Sequence, residues 1–194
     1  MRLNIGGLTV TYADDTAILF AGDTWESVRS QTIDGLTIVM NWLQCNKLSL
    51  NITKTNYVAF SLTAVNRPIF TSIELDNHSI KETSQTKYLG VVIERYIKWK
   101  PHVEYLSSKV RKLIHKFYLL REFLNRKTLI TVYKAFVESV IGYGILVWGG
   151  LYNNSLNKLN IIQKYILKIM FKNDSTPLTC SLHRKCVTLE QFIC

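Results

Sequence analysis

At Pro101 the spacing of apolar residues changes character, and that change constrains the fold more than any other feature of the chain. From Val103 onward, Leu106, Val110, Leu113, Phe117, Leu120 and Leu124 recur at steps of three and four, which keeps them on one face of a helix. A second such series runs from Leu129 through Val132, Tyr133, Phe136, Val137 and Val140 to Ile141. A third joins Leu156, Leu159, Ile162, Ile166 and Ile169. The connectors, Asn125-Arg126 and the stretch from Gly149 to Asn154, are short. Neighbouring amphipathic helices on short loops pack together, so the residues after Pro101 are expected to form a small helical bundle.

Before Pro101 the apolar runs are short and rich in branched and aromatic residues. Leu8-Thr9-Val10-Thr11-Tyr12 and Thr16-Ala17-Ile18-Leu19-Phe20 flank a tight Ala13-Asp14-Asp15 connection and read as a hairpin. Asp23 followed by Glu26 has the spacing of a capping box, and Val28, Leu36, Val39, Met40 and Leu43 supply the apolar stripe of a helix over roughly Thr24 to Asn46. Further β-prone runs at 56–61, 69–75 and 88–93 can join the hairpin in one sheet with that helix on a face. The expectation is an α+β chain divided near Lys98–Pro101 into residues 1–98, sheet with helix, and 99–194, all helical. Its 194 residues suffice for one sheet-bearing core and a helical appendage.

Charge follows the same division. Residues 1–80 hold five Lys/Arg against seven Asp/Glu, whereas residues 81–194 hold nineteen against seven. A net charge of −2 on one part and +12 on the other favours a polyanionic partner for the second part, although a merely soluble basic surface gives the same count. The four cysteines, Cys45, Cys180, Cys186 and Cys194, lack the paired spacing of a disulfide scaffold and read as reduced thiols of an intracellular protein. Cys180, His183, Cys186 and Cys194 do not have a usual structural-zinc spacing. No stretch has the length and apolarity of a leader or membrane span.

Two adjacent carboxylates at a hairpin tip repel each other, and a bound cation removes that repulsion. Alone, Asp14-Asp15 reads first as a solvated turn. The surrounding residues add a resemblance. Tyr12-Ala13-Asp14-Asp15-Thr16-Ala17-Ile18-Leu19 is similar to the palm motif of non-LTR retrotransposon reverse transcriptases. Four segments follow in that family's order: Trp42-Leu43 through Asn46-Lys47-Leu48-Ser49-Leu50-Asn51 to Lys54-Thr55; Lys87-Tyr88-Leu89-Gly90-Val91; Trp99 with His102; and Tyr133, Ser139, Tyr143-Gly144, Trp148-Gly149, with Gln163-Lys164 on a later helix.

The resemblance implies a partial polymerase palm, an antiparallel sheet with a packed helix, followed by an all-α thumb-like bundle. It implies RNA-directed DNA polymerase ancestry, with Mg²⁺ as cofactor and an RNA template, a DNA primer and deoxynucleotide triphosphates as partners. Asp14 and Asp15 would be the metal ligands and Lys54 the cation near the triphosphate. Tyr12 would lie at the primer terminus, and Tyr88, Leu89 and Gly90 would form the surface that grips the primer. Lys109, Lys112 and Lys116, at i, i+3 and i+7 of one expected helix, would track duplex phosphates. The family's mode of copying implies a nuclear place of action. Reverse transcriptases also use an earlier palm aspartate and a fingers region. Only eleven residues precede Tyr12 and none is acidic, so the expectation is a chain inactive as a polymerase on its own. The other function class is a non-catalytic nucleic-acid-binding module that keeps the basic helices.

Overall fold

The computed structural model describes residues 4–61, 68, 72–75, 78–150 and 153–171. It is α+β, and the chain forms two compact units, Met1–Ile97 and Lys98–Cys194.

In the first unit, β1 (Leu8–Tyr12) and β2 (Asp15–Leu19) pair antiparallel, with Tyr12 opposite Asp15 and Leu8 opposite Leu19. Helix α1 spans Trp25–Cys45. Its cap is Thr24 and not Asp23: the Thr24 hydroxyl accepts from the Ser27 amide at 3.2 Å, with Glu26 in the first turn beside the positive end of the helix dipole. Gly35 is the one fully buried residue of α1. A Cβ there would lie 2.7 Å from both the Ile5 carbonyl oxygen and the Phe20 ring, so glycine is what lets the helix approach the segments on either side of the hairpin. Phe20 also lies against Gly7, where a Cβ would come within 2.8 Å of its ring.

The expected single sheet is replaced, among the described residues, by three separate hairpins. β3 (Ser72–Leu75) pairs with β4 (His78–Lys81), and β5 (Gln85–Tyr88) with β6 (Val91–Glu94). The β-prone run 88–93 is not one strand, because Leu89 and Gly90, both at positive φ (44° and 82°), reverse the chain in its middle. The segment 56–61 makes only a parallel bridge, Tyr57 to Glu82. Hydrogen bonds from Thr83 N to Tyr57 O (2.9 Å) and from Ser61 N to Arg95 O (3.2 Å) tie this segment to its neighbours. An ion pair between Arg95 and Glu82 lies close by, both side chains largely withdrawn from water. Among the described residues the buried apolar ones of this unit are few: Ile5, Ala59, Ile73, Leu75 and Ile80.

The second unit carries the larger core. The single helix expected over 103–124 is two, α2 (Lys100–Arg111) and α3 (Ile114–Phe123), separated by a break at Lys112-Leu113. Periodicity alone missed the break because Val110, Leu113 and Phe117 stay in register across it and all reach the core cluster. Asn125 caps α4 (Arg126–Tyr133), its side-chain oxygen accepting from the Thr128 amide at 3.0 Å. A π-helical segment, Lys134–Glu138, follows, then α5 (Ser139–Gly142), α6 (Ile145–Trp148) and α7 (Asn153–Met170). Gly144, at φ 66°, makes the sharp turn into α6. α7 packs against α2 and α3. Its Leu159 and Ile166 are fully enclosed with Val110, Tyr133, Val137, Ile141 and Trp148. Among the described residues no helix is long and apolar enough to cross a membrane.

Candidate functional site

The Asp14-Asp15 turn follows from a two-residue connection. Tyr12 and Asp15 close the ladder, leaving Ala13 and Asp14 as the central residues. Of these two, Ala13 is at positive φ (52°), a conformation that costs a residue with a Cβ roughly 1 kcal/mol and is found where a turn must aim a side chain. The outcome is two exposed neighbouring carboxylates on a short hairpin whose base is held to α1 through Phe20 and Gly35. Tyr12 is exposed beside them, with 67% of its surface accessible, and Leu8, Val10 and Leu19 are exposed along the same hairpin. Strand alternation puts Leu8, Val10 and Tyr12 on one face, and the register adds Ala17 and Leu19 to it.

Lys54 is an exposed residue on the turn after α1. Asn51 organises that turn: its backbone carbonyl accepts from the amides of Lys54 and Thr55 (both 3.1 Å), and its side-chain oxygen from the Thr53 hydroxyl (2.7 Å). Asn46 performs a similar task at the end of α1, its amide donating to the Trp42 carbonyl at 2.8 Å. Leu48 and Leu50 fold back beside Met40 and Leu43 of α1 and line a shallow open cleft with them. The motif from Trp42 to Thr55 is thus a helix end and its return, with Lys54 as its exposed cation.

Tyr88, Leu89 and Gly90 form the tip of the β5–β6 hairpin. The Tyr88 hydroxyl donates to the Val10 carbonyl at 3.3 Å, which brings this tip to the strand that leads into Asp14 and Asp15. Tyr57 sits beside the Arg95–Glu82 pair, its hydroxyl buried; burial first, and the Glu82 carboxylate second, push its pKa up. Among the described residues, no group of three or more His, Cys, Asp and Glu side chains comes together to hold a metal ion.

In the second unit Lys109 lies on α2 with its ammonium 4.8 Å from the Tyr105 ring centre, Lys112 follows the last turn of α2, and Lys116 is on α3. All three are exposed, but they do not form the continuous helical stripe their spacing suggests, because the helix breaks at Lys112. The motif residues behind them point inward instead. His102 is buried against Trp148, edge to face at 5.5 Å, and burial lowers its pKa. The Trp148 indole donates to the Tyr143 carbonyl at 3.0 Å. Gln163 donates to the Tyr133 hydroxyl at 2.8 Å, with both side chains enclosed and the Tyr133 ring edge-on to Phe117. These four residues serve the core. Tyr133 already falls in the apolar series of the second expected helix, whereas the burial of His102 and Gln163 is not legible in the sequence, since a buried polar group shows no period of its own. Cys180, His183, Cys186 and Cys194 lie outside the described residues.

Comparison with known proteins gives the same direction as the motifs. The chain is 29% identical over 167 residues, 83% of its length, to a probable RNA-directed DNA polymerase from transposon BS of Drosophila melanogaster. It is 22% identical over 180 residues, 91% of its length, to a probable RNA-directed DNA polymerase from transposon X-element of the same fly. It is 26% identical over 164 residues, 83% of its length, to the RNA-directed DNA polymerase from mobile element jockey of Drosophila funebris. The chain is a homologue of non-LTR retrotransposon RNA-directed DNA polymerases. It spans only about a fifth of these relatives, 18%, 20% and 18% of their lengths. No family model and no solved structure matches it. The longest of these alignments exceeds the length of either unit and so includes residues of both.

Proposed function

We propose that residues 1–98 are part of a reverse-transcriptase palm, that residues 99–194 are its thumb, and that Asp14 and Asp15 are two of the carboxylates of a nucleotidyl-transfer site. The observation that carries this reading is the hairpin itself: two exposed carboxylates at a turn where Ala13 takes a costly conformation, in a chain homologous to RNA-directed DNA polymerases.

The donor chemistry fits Mg²⁺, a hard cation that prefers carboxylate oxygen. Two carboxylates are fewer than a two-metal site uses, so a complete site needs at least one further ligand from outside the described residues. When bound, such ions would stabilise the attacking and leaving oxygens of the transfer. This chain's own contribution is to present the Asp14 and Asp15 oxygens at the tip of a tight turn and to keep that turn beside the Tyr88-Leu89-Gly90 hairpin through the Tyr88–Val10 hydrogen bond. Leu89 and Gly90 then offer a primer strand a tip with little side-chain bulk at Gly90. Lys54 supplies a cation for triphosphate charge, Tyr12 packs at the primer end, and Lys109, Lys112 and Lys116 contact phosphates. RNA template, DNA primer and deoxynucleotide triphosphates are the corresponding partners, inside the cell and at chromosomal DNA.

Mn²⁺, a paramagnetic substitute for Mg²⁺, should broaden the amide resonances of residues 12–16 before others, and Asp14→Asn should abolish the effect. Uniform broadening would contradict the site. The chain alone should not extend an RNA-templated primer, whereas a longer polypeptide including the preceding palm and fingers should, and should lose that activity with Asp14→Asn. A second reading, a nucleic-acid-binding module without chemistry, is favoured by the net charge of +12 on residues 81–194. It predicts salt-dependent duplex binding with no extension by either polypeptide.

A further inference from the structure

Helix α3 presents a surface that the carboxylate turn does not account for and of which the three lysines account only for Lys116. At 100° per residue, His115, Lys116, Tyr118, Leu119, Glu122 and Phe123 fall within one arc of about 160°, opposite the buried Phe117, and every one of them is exposed. Phe123 keeps 83% of its surface accessible, Leu119 50% and Tyr118 49%. A helix of a soluble bundle normally gives such an arc to polar side chains. The Tyr118 ring carries the Arg121 guanidinium 4.3 Å from its centre, and the same guanidinium pairs with Glu122 at 2.9 Å, the one acidic group on the face.

Charge decides what kind of partner such a face suits. The stretch 98–134, with α3 near its middle, holds ten Lys/Arg against two Glu, a net of +8. An apolar protein partner would have to tolerate that field, whereas a polyanion is drawn to it. The polyanion must also offer flat apolar groups to two aromatic rings. Duplex nucleic acid keeps its bases stacked inside, and a single strand does not.

We propose that the exposed face of α3 binds single-stranded nucleic acid, with unpaired bases stacked on Phe123 and Tyr118 and the strand's phosphates held by Lys116, Arg121 and the neighbouring cations. The proposal takes its class of partner from the function proposed above and shares Lys116 with it, but its stacking residues, Tyr118 and Phe123, have no part in that function. Arg121 holds the Tyr118 ring by cation–π contact, and Leu119, one turn before Phe123, gives a base edge an apolar seat.

The test uses the full 194-residue chain and three fluorescein-labelled probes: a 20-nucleotide oligouridylate, a 20-nucleotide oligothymidylate and a 20-base-pair RNA/DNA duplex. Combining Phe123→Ala with Tyr118→Ala should weaken binding of one or both single strands about ten-fold or more, the factor carried by a lost stacked base, and leave duplex affinity unchanged. The two single-stranded probes tell RNA from DNA. Phe123→Trp should restore the affinity that Phe123→Leu loses, which separates stacking from bulk; both positions are exposed, and circular dichroism checks the fold. Lys116→Gln should reduce the salt dependence of single-strand binding by about one ion. Unchanged single-strand affinity in the doubly substituted chain overturns the proposal. So does a dimer, seen by sedimentation, that Phe123→Ala dissolves, since the face would then join copies of the chain. Failure of primer extension or of Mn²⁺ localisation bears on the carboxylate turn alone and leaves these outcomes unaffected.

Discussion

Gly35 shows how much one residue decides in the first unit. Its missing Cβ is what allows Phe20 and the Ile5 carbonyl to approach α1, so Gly35→Ala forces the hairpin base away from the helix. We expect a loss of about 1–3 kcal/mol, the usual cost of overpacking, measured as a lower urea midpoint. His102 in the second unit gives a pH prediction. Burial favours its neutral form and lowers its pKa below 6.5, so the unfolded chain takes up the proton first as pH falls. The stability that His102 contributes is therefore complete above pH 6.5 and declines as pH drops through that value toward the lower folded pKa. Urea unfolding between pH 7.5 and 5 should show this decline in the natural chain and a smaller one in His102→Gln. Tyr133→Phe removes the acceptor of the enclosed Gln163 amide and should cost about 1–2 kcal/mol in the same assay.

At the scale of elements, caps and turns divide the chain more finely than apolar spacing does. Asn125 holds the first amides of α4, and Asn125→Ala should cost about 1 kcal/mol, read as a lower thermal midpoint. The first hairpin is the opposite case. Its short ladder leaves Leu8, Val10, Tyr12 and Leu19 in water, and a two-stranded ribbon with that little burial is marginal. Amide hydrogen exchange in β1 and β2 should accordingly be fast compared with α2 and α7, whose apolar faces are enclosed. Protection of β1 and β2 equal to that of α7 would contradict this. The existence of the hairpin, of α1 and of a long third helix was legible from period and composition. The break at Lys112-Leu113 and the division of 88–93 were not: apolar residues stay in phase across the first, and the second depends on Leu89 adopting a positive φ, which leucine rarely does.

For the whole molecule, the two units have unequal cores: among the described residues, five buried apolar side chains in the first against an extended cluster in the second. Calorimetry should therefore record more than one unfolding transition, with the helical signal of residues 98–171 lost last. A single transition with matching calorimetric and van't Hoff enthalpies would show that the units unfold as one. What the sequence by itself determined is the ordered content: α+β, a change of period at Pro101, a basic second part, and five motif segments in reverse-transcriptase order. Each depends on residues close together in the chain, whose spacing encodes local geometry. What only the tertiary structure decided is which motif residues meet and which way they face. His102 and Trp148 come together in the core, as do Tyr133 and Gln163, while the Tyr88 hydroxyl reaches the strand before Asp14 across 78 residues of chain. Burial and long-range hydrogen bonds are properties of packing, and no window along the sequence contains both partners.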